Sequence, residues 1–180
     1  GLLINDAGTM RVSTVQTLAA YLDDEITAMP NLVTVGAGGT ASTVAGIPFY
    51  SADTSSIYTT DVSGTDDTAS GNSAYGYQAL DAITTGDNNN AFGYGALGAN
   101  TTAANNVAVG TTSLTTNTTG DSNVAVGHAA LYTNNGANNV AVGRGSMFAN
   151  TTGAGNIAVG MNSLDANTTG GTNTGIGHYA

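Results

Sequence analysis

From Asn72 onward the chain alternates a three-residue apolar cluster with a longer polar stretch. The clusters read Val-Ala-Val at 107–109, 124–126 and 140–142 and Ile-Ala-Val at 157–159. Each is preceded by Asn and closed by Gly, and the closing glycines fall at Gly76, Gly93, Gly110, Gly127, Gly143, Gly160 and Gly177, with spacings of 17, 17, 17, 16, 17 and 17. Alternation at period two over three residues predicts a short strand with one buried face. The β-branched pairs Val107/Val109, Val124/Val126, Val140/Val142 and Ile157/Val159 are expected inside, with alanine between them facing out. Four residues after each glycine comes a second expected core position, occupied by Leu114, Leu131, Met147 and Leu164 in these four repeats. The residue before it is always Ala or Ser, as a tight bend requires. The closing glycine suits a corner that needs positive φ or close backbone approach.

The polar stretch carries Asn-Thr-Thr at Asn100, Asn117, Asn150 and Asn167, and the single 16-residue spacing loses its residue here. Asn and Gly favour turns, and a surface turn tolerates such a loss. Three large apolar side chains cannot offset the backbone entropy of ordering 17 residues, so one repeat cannot fold alone. It must share ladders and apolar faces with its neighbours, as solenoid coils do. Six steps of ~4.8 Å give a rod about 29 Å long. Each coil is thin, so the rods are expected to bundle, most simply as a cyclic homotrimer.

The first 30 residues have a different pattern. A strand, an Asp-Ala-Gly turn and a second strand at Met10–Val12 precede Ser13 or Thr14 as N-cap of an apolar-periodic helix (Val15, Leu18, Ala19, Leu22). Residues 31–70 mix β-prone pairs, Val33/Val35 and Ile57/Tyr58, with Gly, Ser and Thr. The expected organisation is therefore a small strand-strand-helix element at 1–30, an irregular β connector at 31–70 and solenoid repeats at 71–180. The fold class is mainly β: a parallel β-solenoid or β-roll of about 17-residue coils, forming a homotrimeric rod with a small α+β N-terminal element. Beginning at Gly and ending within a repeat, the sequence reads as a segment of something longer.

Composition narrows the function. Only 8% of the 180 residues are charged, against a usual ~25%. Net charge is −10, Arg11 and Arg144 are the sole cations, and eight of the twelve carboxylates precede residue 71. Nucleic-acid binding thus lacks electrostatic support. There is no cysteine, and no run approaches the ~18 apolar residues of a membrane span, so membrane insertion is not expected.

The lines "NNVAVG", "SNVAVGHAAL" and "GNIAVGMNSL" resemble the head repeats of trimeric autotransporter adhesins, which form a trimerising parallel β-roll. "GNSAYGYQAL" at 71–80 and "NAFGYGALGANTT" at 90–102 are similar to repeats of bacteriophage tail fibres, and "GLLINDAGTMRVSTVQTLAAYLDDE" looks like modules of tailed-phage structural proteins. The 17-residue coil differs from the roughly 14 of adhesin heads. The resemblance implies a structural segment of a virion tail or head fibre, exposed at the virion surface, which presents host-adhesion sites. Its partners would be its own copies, other virion proteins, and a host surface glycan or protein. The rival is a bacterial trimeric adhesin head on the cell surface. From another class comes an ice-binding solenoid, prompted by the repeated Thr-Thr.

No catalytic motif, cofactor or metal site is expected. The sequence lacks Cys, a readable Ser/His/Asp arrangement and a phosphate loop followed by Lys. Asp23, Asp24 and Glu25 read as a charged helix end, and the Asn-Thr-Thr sequons as turns rather than glycosylation sites. The column after the corner glycine varies freely (Tyr77, Tyr94, Thr111, His128, Arg144, Met161, His178), as a solvent-facing position would. Tyr77, Tyr94, His128 and Arg144 are the candidate ligand-facing residues, with Tyr132 and Phe148 second.

Overall fold

The computed structural model describes residues 68–180 together with five short strands before them. Of the three sheets among the described residues, two are antiparallel pairs. Strands β1 (Leu2–Asp6) and β2 (Thr9–Ser13) pair antiparallel, with Asp6 opposite Thr9, matching the two strands expected there. Strands β3 (Ser42–Val44) and β4 (Ile47–Phe49) form the second pair. The predicted helix after Ser13 and the Val33/Val35 pair lie outside the described residues.

The third sheet is the solenoid. Its eight parallel strands are β5 (Ile57–Tyr58), β6 (Ser73–Tyr75), β7 (Asn90–Phe92), β8 (Val107–Val109), β9 (Val124–Val126), β10 (Val140–Val142), β11 (Ile157–Val159) and β12 (Thr174–Ile176). They stack in chain order. The expected parallel β-solenoid of about 17-residue coils is therefore the fold of this part of the chain. The sheet starts earlier than the expected boundary at 71, because Ile57 and Tyr58 pair with Ser73 and Ala74.

Register holds without slip across the stack: Val109 lies beside Val126, Val126 beside Val142, and Val142 beside Val159. The side chains, however, face the opposite way from expectation. Ala74, Ala91, Ala108, Ala125, Ala141 and Ala158 form the buried file. Val109, Val126, Val142 and Val159 are 36–40% exposed, Ile157 is exposed, and Val107, Val124 and Val140 are half-buried. The expected core assignment of these eight β-branched residues is thus corrected. The cause is room. At Gly175, where the inward file lacks its methyl, an added Cβ would stand 2.8 Å from both Leu164 Cγ and Ser163 Oγ. Only alanine fits beneath the leucines. Leu114, Leu131 and Met147 are fully buried as expected, and Leu164 is partly so. Tyr58 stands in the alanine file at the first coil, buried with Ala69, Leu80 and Ile83 in the same cluster.

Backbone geometry explains the columns. The leucine position has φ of 49–52° in every coil, a left-handed conformation that costs a side-chain-bearing residue on the order of 1–2 kcal/mol. Burial of the whole side chain and a bond to the next coil (Leu114 N to Ala130 O, 3.0 Å) offset it. The corner glycines have φ of 131–136°, and a Cβ on Gly110 would lie 2.6 Å from Gly127 O. Both readings of that column, positive φ and close approach, hold together.

Two files of asparagine complete the interior. Asn72, Asn89, Asn106, Asn123, Asn139 and Asn156, one per coil before the strand, are fully buried. Each side-chain oxygen accepts from the backbone N–H of its counterpart one coil on, as in Asn123 N to Asn106 Oδ1 at 2.9 Å. Asn123 Nδ2 in turn donates to Gly136 O, 2.9 Å away. The second file is the asparagine of Asn-Thr-Thr. Asn117 Oδ1 accepts from Gly120 N and its Nδ2 donates to Gly120 O, closing the turn from inside. Buried polar groups paired this completely stabilise a thin core instead of breaking it.

Candidate functional site

Two surfaces of the solenoid carry exposed side chains in ordered files. The first is the outer face of the sheet. Every second strand residue points outward, which leaves Tyr75, Phe92, Val109, Val126, Val142, Val159 and Ile176 as one exposed apolar line. The Tyr75 and Phe92 rings stack at 5.0 Å and 10°. With Ile57 and Val109 they line a groove of about 270 Å³ whose walls are almost wholly apolar.

The second surface is the strip past the corner, between the residue one after the glycine and the residue five after it. Here the structure brings the predicted ligand-facing residues into two files. Tyr77, Tyr94, His128 and Arg144 are all exposed, in the first file. Tyr132 and Phe148 occupy the second, half-buried and exposed respectively. The aromatic members are stacked in pairs one coil apart: Tyr77 on Tyr94 at 5.9 Å, and Tyr132 on Phe148 at 5.0 Å and 8°. The Arg144 guanidinium reaches Met161 Sδ at 3.2 Å.

Between the files lie two polar grooves. One, of about 300 Å³, is lined by Gln78, Asp81, Tyr94, Gly95, Gly98, Ala99 and Thr115. The other, of about 220 Å³, is lined by His128, Ala129, Arg144, Gly145, Phe148, Asn162 and Asp165. Of the six residues singled out from sequence, Tyr94, His128, Arg144 and Phe148 line a groove, whereas Tyr77 and Tyr132 stack on Tyr94 and Phe148 without lining one. Sequence reasoning missed Asp81, Gln78, Asn162 and Asp165. They sit in the columns two and five after the glycine, which vary as freely as the chosen one, and that variability was the available signal.

The threonines of Asn-Thr-Thr are half-buried or exposed, but the hydroxyls of Thr101, Thr118 and Thr151 are engaged. Thr101 and Thr151 donate to the carbonyls of Thr118 and Thr168, Thr118 donates to Asn135 Oδ1, and Thr84, which follows Ile83, donates likewise to Thr101 O. At the 16-residue coil Asn135 replaces the first threonine of the pair, and its Oδ1 accepts from Thr118 N at 2.8 Å. Among the described residues no three His, Asp or Glu side chains converge as a metal ion would require, and no helix is long and apolar enough to cross a membrane. No protein-family model, characterised protein or solved structure matches the chain.

Proposed function

We propose that the chain is a structural and adhesive segment of a virion fibre, a homotrimeric solenoid rod that holds host-adhesion sites away from the particle. One observation carries this reading. The outer sheet face is an unbroken apolar line from Tyr75 to Ile176, a type of surface that marks an interaction site more often than a water-facing wall. Three rods packed along this line would cover it and leave the polar strip past the corner in solvent. A closed cyclic arrangement of identical copies satisfies every copy equally. Low charge helps, because no like-charge repulsion opposes close approach of three such faces. The mechanism is mechanical and multivalent: a rigid rod presents each site three times and raises effective concentration at a host surface. Catalysis and cofactors have no part in it.

Native mass spectrometry tests the assembly. The expected result is three times the mass of one chain, with Val126→Asp combined with Val142→Asp giving a folded single chain. A compact monomer of 17.7 kDa for the unaltered protein would overturn it. Immunogold labelling then tests the setting. Antibody against the solenoid is expected on fibres of purified particles, and label on a bacterial surface instead would favour the adhesin.

A further inference from the structure

The two polar grooves share a construction that the repeat itself does not require. The column two after the corner glycine is occupied by Gln78, Thr112, Ala129, Asn162 and Tyr179, all with positive φ of 53–59°. It is glycine in only two of the coils, at Gly95 and Gly145. Those two residues are the floors of the two grooves. At Gly95 packing does not force the lack of a side chain, since a Cβ there would meet nothing nearer than Thr115 Oγ1 at 3.5 Å, whereas a Cβ on Gly145 would stand 2.5 Å from Asn162 Oδ1, the end of a side chain that can turn aside. Each glycine opens a notch lined by the same three kinds of group. One is an exposed ring from the same coil, Tyr94 or Phe148. The others are an amide and a carboxylate, Gln78 with Asp81 from the coil before Gly95 and Asn162 with Asp165 from the coil after Gly145.

We propose that these notches at Gly95 and Gly145 are two glycan-binding subsites on the rod. The inference deepens the adhesive reading above and rests on it for the setting in which a sugar is met, while its chemistry comes from the notches alone. A pyranose offers a C–H face and a rim of neighbouring hydroxyls. The first matches an exposed ring, and the second matches a carboxylate that accepts beside an amide that both donates and accepts. Each ring is stacked on one face by a partner one coil earlier, Tyr77 or Tyr132, so little side-chain freedom is lost on binding. Arg144 adds a charged donor to the second notch. A protein partner would need a deep apolar pocket for an anchoring side chain, which neither notch provides. A nucleic acid would need more than one cation. The notches lie three coils apart, about 14 Å at ~4.8 Å per coil, so one extended saccharide chain can be held at both.

The test uses the full chain on a printed array of neutral and acidic oligosaccharides, followed by titration calorimetry with the strongest binder. The variant carrying Gly95→Asn and Gly145→Asn fills both notches with a residue the column already accepts at Asn162. Binding of at least one saccharide is expected, weakened tenfold or more in this variant, with the circular dichroism spectrum unchanged. Should that variant misfold, Tyr94→Ala with Phe148→Ala, both at exposed rings, is expected to show the same loss. A chain that binds no saccharide on the array, or whose variants bind undiminished, overturns the inference. The assembly mass is measured on the same samples, so an intact trimer that binds no sugar separates this failure from failure of the fibre reading.

Discussion

At the scale of single residues the solenoid is governed by how little space separates one coil from the next. Gly110 has φ of 134° and no room for a Cβ beside Gly127 O. Gly110→Ala is therefore expected to destabilise the rod by about 3 kcal/mol or more, from a strained backbone plus a displaced coil, read as a lower urea midpoint. Ala141→Val introduces two methyl groups into the file beneath the leucines, and overpacking should cost about 1–3 kcal/mol in the same measurement. The inner asparagines give a pH-dependent test. In Asn123→Asp the buried carboxyl would face the Gly136 carbonyl that Nδ2 now serves. The protonated acid can donate to it and the ionised one cannot, so burial and the lost bond raise the folded-state pKa above the unfolded value. Stability of that variant is then present at low pH and lost as pH rises through the folded pKa. Thermal unfolding at acid and neutral pH checks the sign. Asn117 is buried and bonded through both side-chain atoms to Gly120. It should stay unmodified when the chain is secreted by a glycosylating host, as intact mass would show.

At the scale of the coil, much was legible and the remainder has a physical reason. Spacing alone revealed the period, because a stacked coil must return to its own register and every column therefore repeats. The corner glycines were legible because no other residue type fits their position, and the buried leucines because a large unbranched-at-Cβ apolar side chain, Leu or Met147, recurs four residues later. The inside and outside of the strand were not. Val-Ala-Val alternates equally well in either sense, and the usual rule that the larger apolar residue is buried fails here. The interior opposite the strand is already filled by Leu131 or Met147 and by two asparagine files. The Asn-Thr-Thr file reads from sequence as a surface turn, since an Asn that bonds its own backbone gives the same signature whether it faces water or the core. The candidate site was half legible. Column variability exposed Tyr94, His128, Arg144 and Phe148, but the notches depend on which coil lies next to which, and only the stack displays that. Removal of one whole coil, residues 110–126, should leave a folded and shorter solenoid, because each coil bonds only to its neighbours. Removal of half of it should not. Circular dichroism of the two deletions checks this.

At the scale of the whole molecule the parallel sheet, the apolar line and the polar strip run along the same axis, so the apolar line and the polar strip occupy separate longitudinal faces of the solenoid. The 16-residue coil shows how firmly the files are kept. It loses a residue between Asn135 and Gly136, yet Val142 still stands beside Val126 and Gly143 N still bonds Val126 O at 2.8 Å. Chain length per turn can change while the phase of the columns cannot. Anything placed on the strip can thus move only in whole increments, like a peg in a ruled board. A lineage that gains or sheds a winding between Gly95 and Gly145 would lengthen or shorten the distance between the two notches by one rung, leaving both notches themselves unaltered.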